Sequence, residues 1–236
     1  MSVTVAVGTH WGDEGKAKVV DFLTEKNDIV VRFQGGANAG HTVIADGETW
    51  IFHQIPAGIL HPGKVCVVGN GVVLDPLAFL EELDHVRGRG VSVEGRLWIS
   101  DRAHLVMPYH KQLEGIQEAA RGTGAIGTTK RGIGPTYYDK VSREHGLRAG
   151  DLLDAAGFRT RLRKIVADKN EVFTKVYGAE PVNADAVADE YLGYAEQMRP
   201  FIADTATILH AAQNAGKAIL CEGAQGTLLD IDHGTY

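Results

Sequence analysis

The N-terminal stretch VTVAVGTHWGDEGKAKVVDF is the feature that most constrains the fold of this chain. A β-branched run, Val3 to Val7, leads into a glycine-rich turn, and Lys16 opens a segment with helical periodicity. A strand, a glycine-rich loop, a lysine and a helix in this order predict a phosphate-binding site. Glycines let backbone N–H groups approach an anion, and the helix N-terminus adds positive charge. Asp13 and Glu14 lie inside this loop, where they would repel phosphate, so we expect a metal ion or a catalytic base there.

The standard phosphate loop, G-x-x-x-x-G-K-[S/T], does not fit this stretch. Counting back from Gly15-Lys16 places His10 where the first glycine should stand, and Ala17 replaces the Ser or Thr. We interpret GDEGKAK as a different anion-binding loop, in which Gly12, Gly15 and Lys16 face the anion. A strand–helix turn that binds no ligand is the structural alternative.

Composition narrows the class of protein. The 236 residues carry a formal net charge of −6, which argues against nucleic-acid binding. No apolar run is long enough to span a membrane, and the N-terminus lacks the features of a signal peptide, so we expect a cytoplasmic location. Cys66 and Cys221 each stand in an apolar run, which predicts two reduced, buried thiols.

Alternating apolar runs and helical segments predict an α/β fold with a mostly parallel central sheet and flanking helices. The predicted strands are Val3–Val7, Ile29–Phe33, Val65–Val68 and Ala218–Cys221. The predicted helices are Lys16–Thr24, Leu77–Val86, Leu152–Tyr177, Ala184–Met198 and Pro200–Ala215. Such sheets bind ligands at the carboxyl ends of their strands, where we expect Gly8, Gly35, Gly36, Gly69 and Gly223.

We predict one domain over residues 1–236, built in three parts. Residues 1–100 form the strand–helix, nucleotide-binding part. Residues 101–199 form a cover of helices and loops over one end of the sheet, because Asp101–Gly150 is rich in Gly, Thr and Arg and has no clear strand run. Residues 200–236 return to the sheet.

Three further segments carry chemistry. In RFQGGANAGHTV, His41 follows a run of small residues that would pack poorly, which favours a histidine that donates a proton or hydrogen bond to a developing negative charge over a structural one. GAIGTTKRGIGPTYYDK combines threonines, a Lys-Arg pair and glycines, which predicts a loop for a monophosphate, with a flexible surface loop as the alternative. In CEGAQGTLLDID, the amide of Gln225 is placed to hydrogen-bond a purine edge.

Together the motifs WGDEGKxK, QGGxNAGHT, GTTxRGIGPxYxDK and EGAQGTLLDIDHGTY resemble, in order and spacing, those of the adenylosuccinate synthetase family. The resemblance runs from the first strand to Tyr236. It implies a P-loop-NTPase-like fold and a GTP-dependent ligase of de novo AMP biosynthesis. The implied reaction joins IMP and L-aspartate to give adenylosuccinate, GDP and phosphate, with Mg²⁺ as cofactor.

The resemblance also implies residue roles. Asp13 would be the base on N1 of IMP, whose 6-oxygen then attacks the γ-phosphate, and His41 would protonate or hydrogen-bond the transferring group. Lys16 would face the phosphates, Gln225 would complete the catalytic set, and Mg²⁺ would bind the Asp13 carboxylate and the Gly40 carbonyl. The implied GTP-binding residues are Gly12, Asp13, Glu14, Gly15, Lys16, Ala17, Lys18, Gly40, His41 and Thr42. The implied IMP-binding residues are Asp13, Glu14, Gly15, Lys16, Asn38, Ala39, Gly40, His41, Thr129, Arg143 and Gln225.

Arg143 matches an arginine that reaches the IMP site of a neighbouring subunit, which implies a homodimer. Four departures from the family pattern stand out. His10 replaces a usual glutamine, Ala17 and Lys130 each replace a usual glycine, and one extra residue lies near Glu144-His145. Lys130 would be strained if its position needs a positive φ. None of these departures removes a catalytic group.

The family's usual chain is considerably longer, and the parts that bind L-aspartate and read guanine would follow Tyr236. We therefore expect an incomplete sheet with an exposed edge at its C-terminal part, and no complete activity for these 236 residues alone. A non-catalytic purine-nucleotide-binding module is the alternative function. A relative that acts on another purine monophosphate is a third, against which the loop aspartate, Asp13, argues.

Overall fold

The protein is described by a computed structural model over residues 2–45, 47–124 and 127–235. Its strands are β1 (Val3–Ala6), β2 (Ile29–Gly35), β3 (His41–Ala45), β4 (Glu48–Phe52), β5 (Val65–Leu74), β6 (Leu97–Ser100), β7 (His104–Leu105), β8 (Ile202–Ala203) and β9 (Ile219–Glu222). Its α-helices are α1 (Lys16–Thr24), α2 (Pro76–Gly88), α3 (Pro108–Ala120), α4 (Ile133–Ser142), α5 (Ala155–Tyr177), α6 (Ala184–Met198) and α7 (Thr205–Asn214). Ala125 and Ile126 of the third motif, and Tyr236 of the fourth, lie outside the described residues.

A parallel sheet forms the centre of the molecule, as the sequence predicts. Its strands follow the order β1-β9-β2-β5-β6-β8, with β7 paired to the end of β5, and every pairing among them is parallel. The last strand, β9, thus lies between the first two. Among the described residues β1 pairs on one side only and its Val3 and Val5 are half exposed, so the sheet is not closed.

The strand predicted at Val65–Val68 continues much further, and this changes the place of Gly69. β5 runs through Gly69 and Gly71 to Leu74, so Gly69 lies within the strand and the prediction that it ends one was wrong. Glycine is needed there because β5 passes very close to β2. A Cβ on Gly71 would stand 2.1 Å from the backbone oxygen of Phe33, beside an irregularity in the β2–β5 pairing. The two glycines therefore allow close approach and do not stop the strand.

The helix predicted over Pro200–Ala215 is also shorter than expected. β8 occupies Ile202–Ala203 and pairs with β6, so the chain is extended where the pattern suggested helix. Helix α7 begins only at Thr205, because the Asp204 carboxylate accepts hydrogen bonds from the backbone N–H groups of Ala206 and Thr207 and caps the helix. β6 and β8 are too short and too mixed in composition to be found from their sequence.

The segment from 101 to 150, predicted to lack clear strands, contains helices α3 and α4 and the two-residue strand β7. A hairpin of β3 and β4 was also missed, and His41 begins β3 and does not lie in a loop. A signal for this hairpin exists in the sequence, because Asp46-Gly47 is a favoured hairpin turn between two alternating segments. Residue 46 itself is not described.

The core on one face of the sheet contains apolar side chains from β5, α2, α3, α5 and α6. Cys66 is fully buried, whereas Cys221 is only partly buried, so the prediction of two buried thiols holds for Cys66 alone. Within residues 2–45, 47–124 and 127–235, no helix has both the length and the apolar character needed to cross a bilayer.

The buried carboxylate of Glu82 on α2 holds the backbone that follows β4 through hydrogen bonds. Its carboxylate accepts backbone hydrogen bonds from His53, Gln54 and Ile55 at 3.0–3.1 Å. Burial raises the pKa of Glu82 to about 7, although these three N–H groups favour the charged form. The folded chain therefore keeps a proton on Glu82 over a pH range where an unfolded chain has released it.

This raised pKa predicts a pH dependence of stability. Between the ordinary glutamate pKa of 4.5 and about 7, the folded state binds more protons than the unfolded state, so the free energy of unfolding falls as the pH rises. Relative to Glu82→Gln, the wild-type chain should lose about 2.5 kcal/mol between pH 5 and pH 8 in urea denaturation. The exposed neighbour provides the control, since Glu81→Gln should show no such trend. A pH-independent difference for Glu82→Gln would contradict the assignment.

Candidate functional site

Three loops meet at the carboxyl end of the sheet. The first joins β1 to α1, the second joins β2 to β3, and the third follows β9. They enclose a cavity of about 400 Å³. Its lining residues are Trp11, Gly12, Asp13, Gly15, Lys16, Ala17, Lys18, Asn38, Ala39, Gly40, His41, Thr42, Gln225 and Leu229. The structure thus brings together every candidate site residue from the sequence except Glu14, Thr129 and Arg143.

Three residues of the first loop have backbone conformations in the left-handed region. Gly12 and Gly15 have φ values of 100° and 79°, in the left-handed region that suits glycine, and Gly15 stands immediately before α1. Asp13 has φ 51°, which is unusual for a residue with a side chain. This tight loop differs from a standard phosphate loop, as the sequence predicts, and its residues Gly12, Gly15 and Lys16 line the cavity.

The carboxylate of Glu14 accepts hydrogen bonds from the donors of the loop that could otherwise bind an anion. Its carboxylate accepts hydrogen bonds from the backbone N–H groups of His10 at 2.9 Å and Gly12 at 3.2 Å, and from Lys16 Nζ at 2.6 Å. Lys16 above all, with these N–H groups, lowers the pKa of Glu14 to about 2. The donors that bind phosphate in such loops are therefore satisfied by a carboxylate of the same chain.

Asp13, the second acid of the loop, is in a different environment. Its side chain is exposed at the cavity and has no hydrogen-bond or ion-pair partner in the described part of the chain. Gly40 lines the same cavity. A carboxylate and a backbone carbonyl are oxygen donors of the kind that Mg²⁺ prefers, and phosphate oxygens usually complete such sites. The donor set at Asp13 and Gly40 therefore fits the predicted cation.

His41 is 5% exposed and lies at the start of β3, where its ring meets the end of β9. Its Nδ1 contacts Glu222 Oε1, and Arg32 Nη1 lies 3.8 Å from the same oxygen. Arg32 and Glu222 are both 0% exposed. The histidine predicted from its small-residue context therefore borders the cavity on one side and a buried ion pair on the other.

Gln225 is placed by the third loop. Its side-chain Nε2 donates to Asn38 Oδ1 at 3.1 Å, and its φ is 52°. Thr227 fastens this loop to the first one, because its N–H and hydroxyl both donate to the carbonyl of Gly8, at 3.0 and 2.7 Å. The two loops touch so closely that a Cβ on Gly226 would stand 2.1 Å from the His10 carbonyl oxygen.

Residues of the third motif form hydrogen bonds with the strands and the loop beside the cavity. The hydroxyl of Tyr137 accepts a hydrogen bond from the Gly35 N–H at 3.0 Å and donates one to the Gly71 carbonyl at 2.8 Å. Arg131 donates to the carbonyl of Ala37 at 2.6 Å. These bonds connect α4 to β2 and β5, and the loop before α4 to the second site loop.

Thr129 and Arg143 do not line the cavity, and both are exposed. Asp139 of the same motif is buried instead, where it bonds His110 at 2.8 Å and Lys169 at 2.6 Å. An IMP-binding role for Thr129 and for Arg143 stays a prediction.

Sequence reasoning missed four residues at the site. Trp11 and Leu229 line the cavity and belong to the recognised motifs, so their positions were available as a signal. Arg32 and Glu222 were missed because each charge stands in an apolar run and reads as a strand residue. Their significance follows from pairing, since they are direct neighbours in the β2–β9 register.

Comparison with known proteins shows the family of the chain. The family model for adenylosuccinate synthetase matches residues 5–236. The adenylosuccinate synthetase of Heliobacterium modesticaldum is 54% identical over all of this chain. The chain belongs to the adenylosuccinate synthetase family. It spans about half the length of the curated relatives it matches, 55% in that case.

A solved structure of this family and one of another protein share the fold. The fully ligated adenylosuccinate synthetase of Plasmodium falciparum superposes with a TM-score of 0.88 at 35% identity, over 99% of this chain and 54% of that one. The succinoaminodeoxyadenylate synthetase of cyanophage S-2L, solved with dGMP and dATP as an energy donor, has a TM-score of 0.61 at 22% identity. That second likeness, over 100% of this chain and 54% of the phage protein, shows the fold alone.

Lys130, for which a positive φ was expected to cause strain, has φ 53°. A side chain in this left-handed region costs about 1–2 kcal/mol. Lys130→Gly should therefore raise the free energy of unfolding by about 0.5–1 kcal/mol, after the greater freedom of glycine in the unfolded chain is subtracted. Urea denaturation measures the change. Lys130→Ala keeps the Cβ and should give no increase, and an equal gain in both variants would exclude backbone strain as the cause.

Proposed function

We propose that this chain carries the IMP site and the GTP-phosphate site of an adenylosuccinate synthetase. The full protein would join IMP and L-aspartate with GTP, releasing adenylosuccinate, GDP and phosphate. One observation carries the proposal: the first loop, the His41 segment and Gln225 line a single cavity of about 400 Å³. Family membership supports the same reaction. The acid inside the loop, Asp13, also fits this reaction, because the reaction needs a base.

Each of the four catalytic residues has its own role in this reaction. Asp13 is free to take the proton from N1 of IMP, which makes the 6-oxygen nucleophilic toward the γ-phosphate of GTP. GDP then leaves, and the amine of aspartate displaces the phosphate from C6 of the purine. His41 hydrogen-bonds the transferring group, Lys16 neutralises phosphate charge, and Gln225 binds the purine.

Mg²⁺ would be held by the Asp13 carboxylate and the Gly40 carbonyl, and it would supply charge neutralisation at the phosphates. Further predictions concern partners. The resemblance supports a homodimer in which Arg143 reaches the neighbouring IMP site, and the exposed position of Arg143 with φ 67° at the end of α4 is compatible with this. A cytoplasmic location and the absence of nucleic-acid partners rest on the sequence alone.

A purine-nucleotide-binding module without catalysis is the second candidate. It would use the same cavity, so it is favoured only if nucleotide binds and no turnover follows in the full-length protein. Calorimetric titration of IMP and GTP, followed by an assay for adenylosuccinate, separates the two functions.

Lys16 tests the phosphate site. Removing a charge-assisted hydrogen bond to phosphate costs about 1.5–3 kcal/mol, so Lys16→Met should weaken GTP binding at least tenfold in calorimetric titration. The exposed Lys175, which pairs with Glu171 on α5, gives a matched control. Lys175→Met should leave GTP affinity unchanged, and equal affinities in all three proteins would refute the assignment of the first loop.

Asp13 tests the reaction. In the full-length protein, Asp13→Asn should abolish adenylosuccinate formation, because the amide cannot accept the N1 proton, while IMP affinity stays within a factor of about three. Steady-state kinetics and calorimetry measure the two effects separately. Asp189→Asn, which alters an exposed acid on α6, serves as control. Undiminished turnover by Asp13→Asn would exclude the base role.

A further inference from the structure

Two large apolar side chains belong to the lining of the cavity, which otherwise consists of small or polar residues. They are Trp11, which is 58% exposed, and Leu229, which is 46% exposed. The other described lining residues are glycines, alanines and residues with polar or charged side chains. A single exposed apolar residue on an outer surface is ordinary and needs no explanation. Two of them in a concave site, beside a few polar groups, are typical of a ligand pocket.

These two residues lie where the first and third loops meet. Trp11 belongs to the loop between β1 and α1, and Leu229 to the loop that follows β9. The residues immediately before them are joined, because the Leu228 N–H donates a hydrogen bond to the His10 carbonyl at 3.0 Å. The two loops therefore bring an apolar residue each to one place at the edge of the cavity.

The backbone of Trp11 is fixed on both sides. Glu14 Oε1 accepts hydrogen bonds from the N–H groups of both neighbours, His10 at 2.9 Å and Gly12 at 3.2 Å. The third loop packs against the same two neighbours, since a Cβ on Gly226 would stand 2.1 Å from the oxygen of one and 2.6 Å from the nitrogen of the other. The indole itself has no aromatic partner in the described part of the chain. An apolar group on a fixed backbone loses little freedom when a ligand binds.

A purine ring needs two kinds of contact, because its edge is polar and its faces are apolar. Under the proposed function, Asp13 and Gln225 contact the edge of the IMP purine. Trp11 precedes the first of these by two positions, and Leu229 follows the second by four. Each of the two loops thus supplies one polar and one apolar side chain to the same cavity.

We propose that Trp11 is a binding residue, whose indole packs against a face of the IMP purine, and that Leu229 completes this apolar surface. The inference rests on the proposed function, because it takes IMP as the ligand of the cavity. Tryptophan suits this role, since it offers a large rigid contact area with few rotatable bonds, and every base has a π-face on which an aromatic ring can stack.

IMP and ribose 5-phosphate together isolate the purine contact, because ribose 5-phosphate lacks the base. In the full-length protein, Trp11→Ala should weaken IMP binding by roughly tenfold, as expected for the loss of one base–aromatic stack, and should change ribose 5-phosphate affinity by less than about twofold. Trp11→Phe keeps an aromatic ring and should bind IMP within a factor of about three of the wild type. Calorimetry measures IMP directly, and competition against IMP measures ribose 5-phosphate.

Tryptophan fluorescence adds a readout that a purely structural role would not produce. The chain has three tryptophans, of which Trp50 is buried and Trp98 lies on β6. A base stacked on an indole quenches its emission, so IMP should quench the wild-type protein. The quenching should be lost in Trp11→Phe, although IMP still binds, and kept in Trp98→Phe. If Trp11→Ala fails to fold, this arm decides alone, since quenching that persists in Trp11→Phe would refute the proposal.

Phe22→Ala is the matched control. Phe22 is an aromatic residue of α1 that is 61% exposed and does not line the cavity, so its loss should leave IMP affinity unchanged. An unchanged IMP affinity in Trp11→Ala would overturn the proposal, and this is the result expected if another part of the longer protein covers Trp11. Equal losses of IMP and ribose 5-phosphate binding would also overturn it, because they would indicate a disturbed loop and not a lost purine contact.

The titrations keep this inference distinguishable from the proposed function. If the wild-type protein binds no IMP, the proposed function fails and the inference fails with it. If the wild type binds IMP and Trp11→Ala binds it equally well, the role of Trp11 alone is refuted. Weaker GTP binding with unchanged IMP binding in Trp11→Ala would assign the indole to the other nucleotide and would likewise overturn the proposal.

Discussion

The insertion of β9 between β1 and β2 is the constraint on which the rest of this structure depends. β9 pairs with both strands, and its residues are more than 180 positions away from either in sequence. Only after this pairing do Gln225 and Thr227 reach the first loop, and only then does Glu222 stand beside Arg32. The site is therefore a product of long-range contacts, and no short segment of the chain could form it alone.

Backbone strain gathers where the loops meet. Among the described residues, the non-glycine residues with positive φ are Asp13, Lys130, Arg143 and Gln225. Two of them line the cavity, and the other two belong to or follow the third motif. Such conformations persist only where surrounding structure holds them, and the close approach of Gly226 to the first loop supplies that restraint at the cavity. These strained conformations, held by contacts within the chain, indicate that the site is formed before a ligand binds.

The sequence predicted what depends on local pattern and missed what depends on partners. The runs at Ile29 and Val65 are buried on both faces, so continuous apolar stretches revealed their strands, and the bounds of α1 were correct. The sequence analysis placed β8 in a helix, because a strand of two residues is too short to show the alternating pattern of apolar and polar residues. The length of β5 depends on a close approach to β2 that only glycine permits. Likewise, the motifs located the cavity, but the pairing of Arg32 with Glu222 required the register.

The two adjacent acids of the first loop show why residue type alone cannot assign a role. Glu14 has Lys16 and two backbone N–H groups around its carboxylate, so it is a satisfied internal anion whose pKa is lowered to about 2. Asp13, one residue away, is exposed at the cavity and has no such donors. Lys16 and these two N–H groups are engaged by Glu14, whereas the Asp13 side chain has no partner among the described residues. The environment therefore separates a carboxylate that engages the donors of the loop from one that the described residues leave without a partner, and only the second has the surroundings that the proposed base requires.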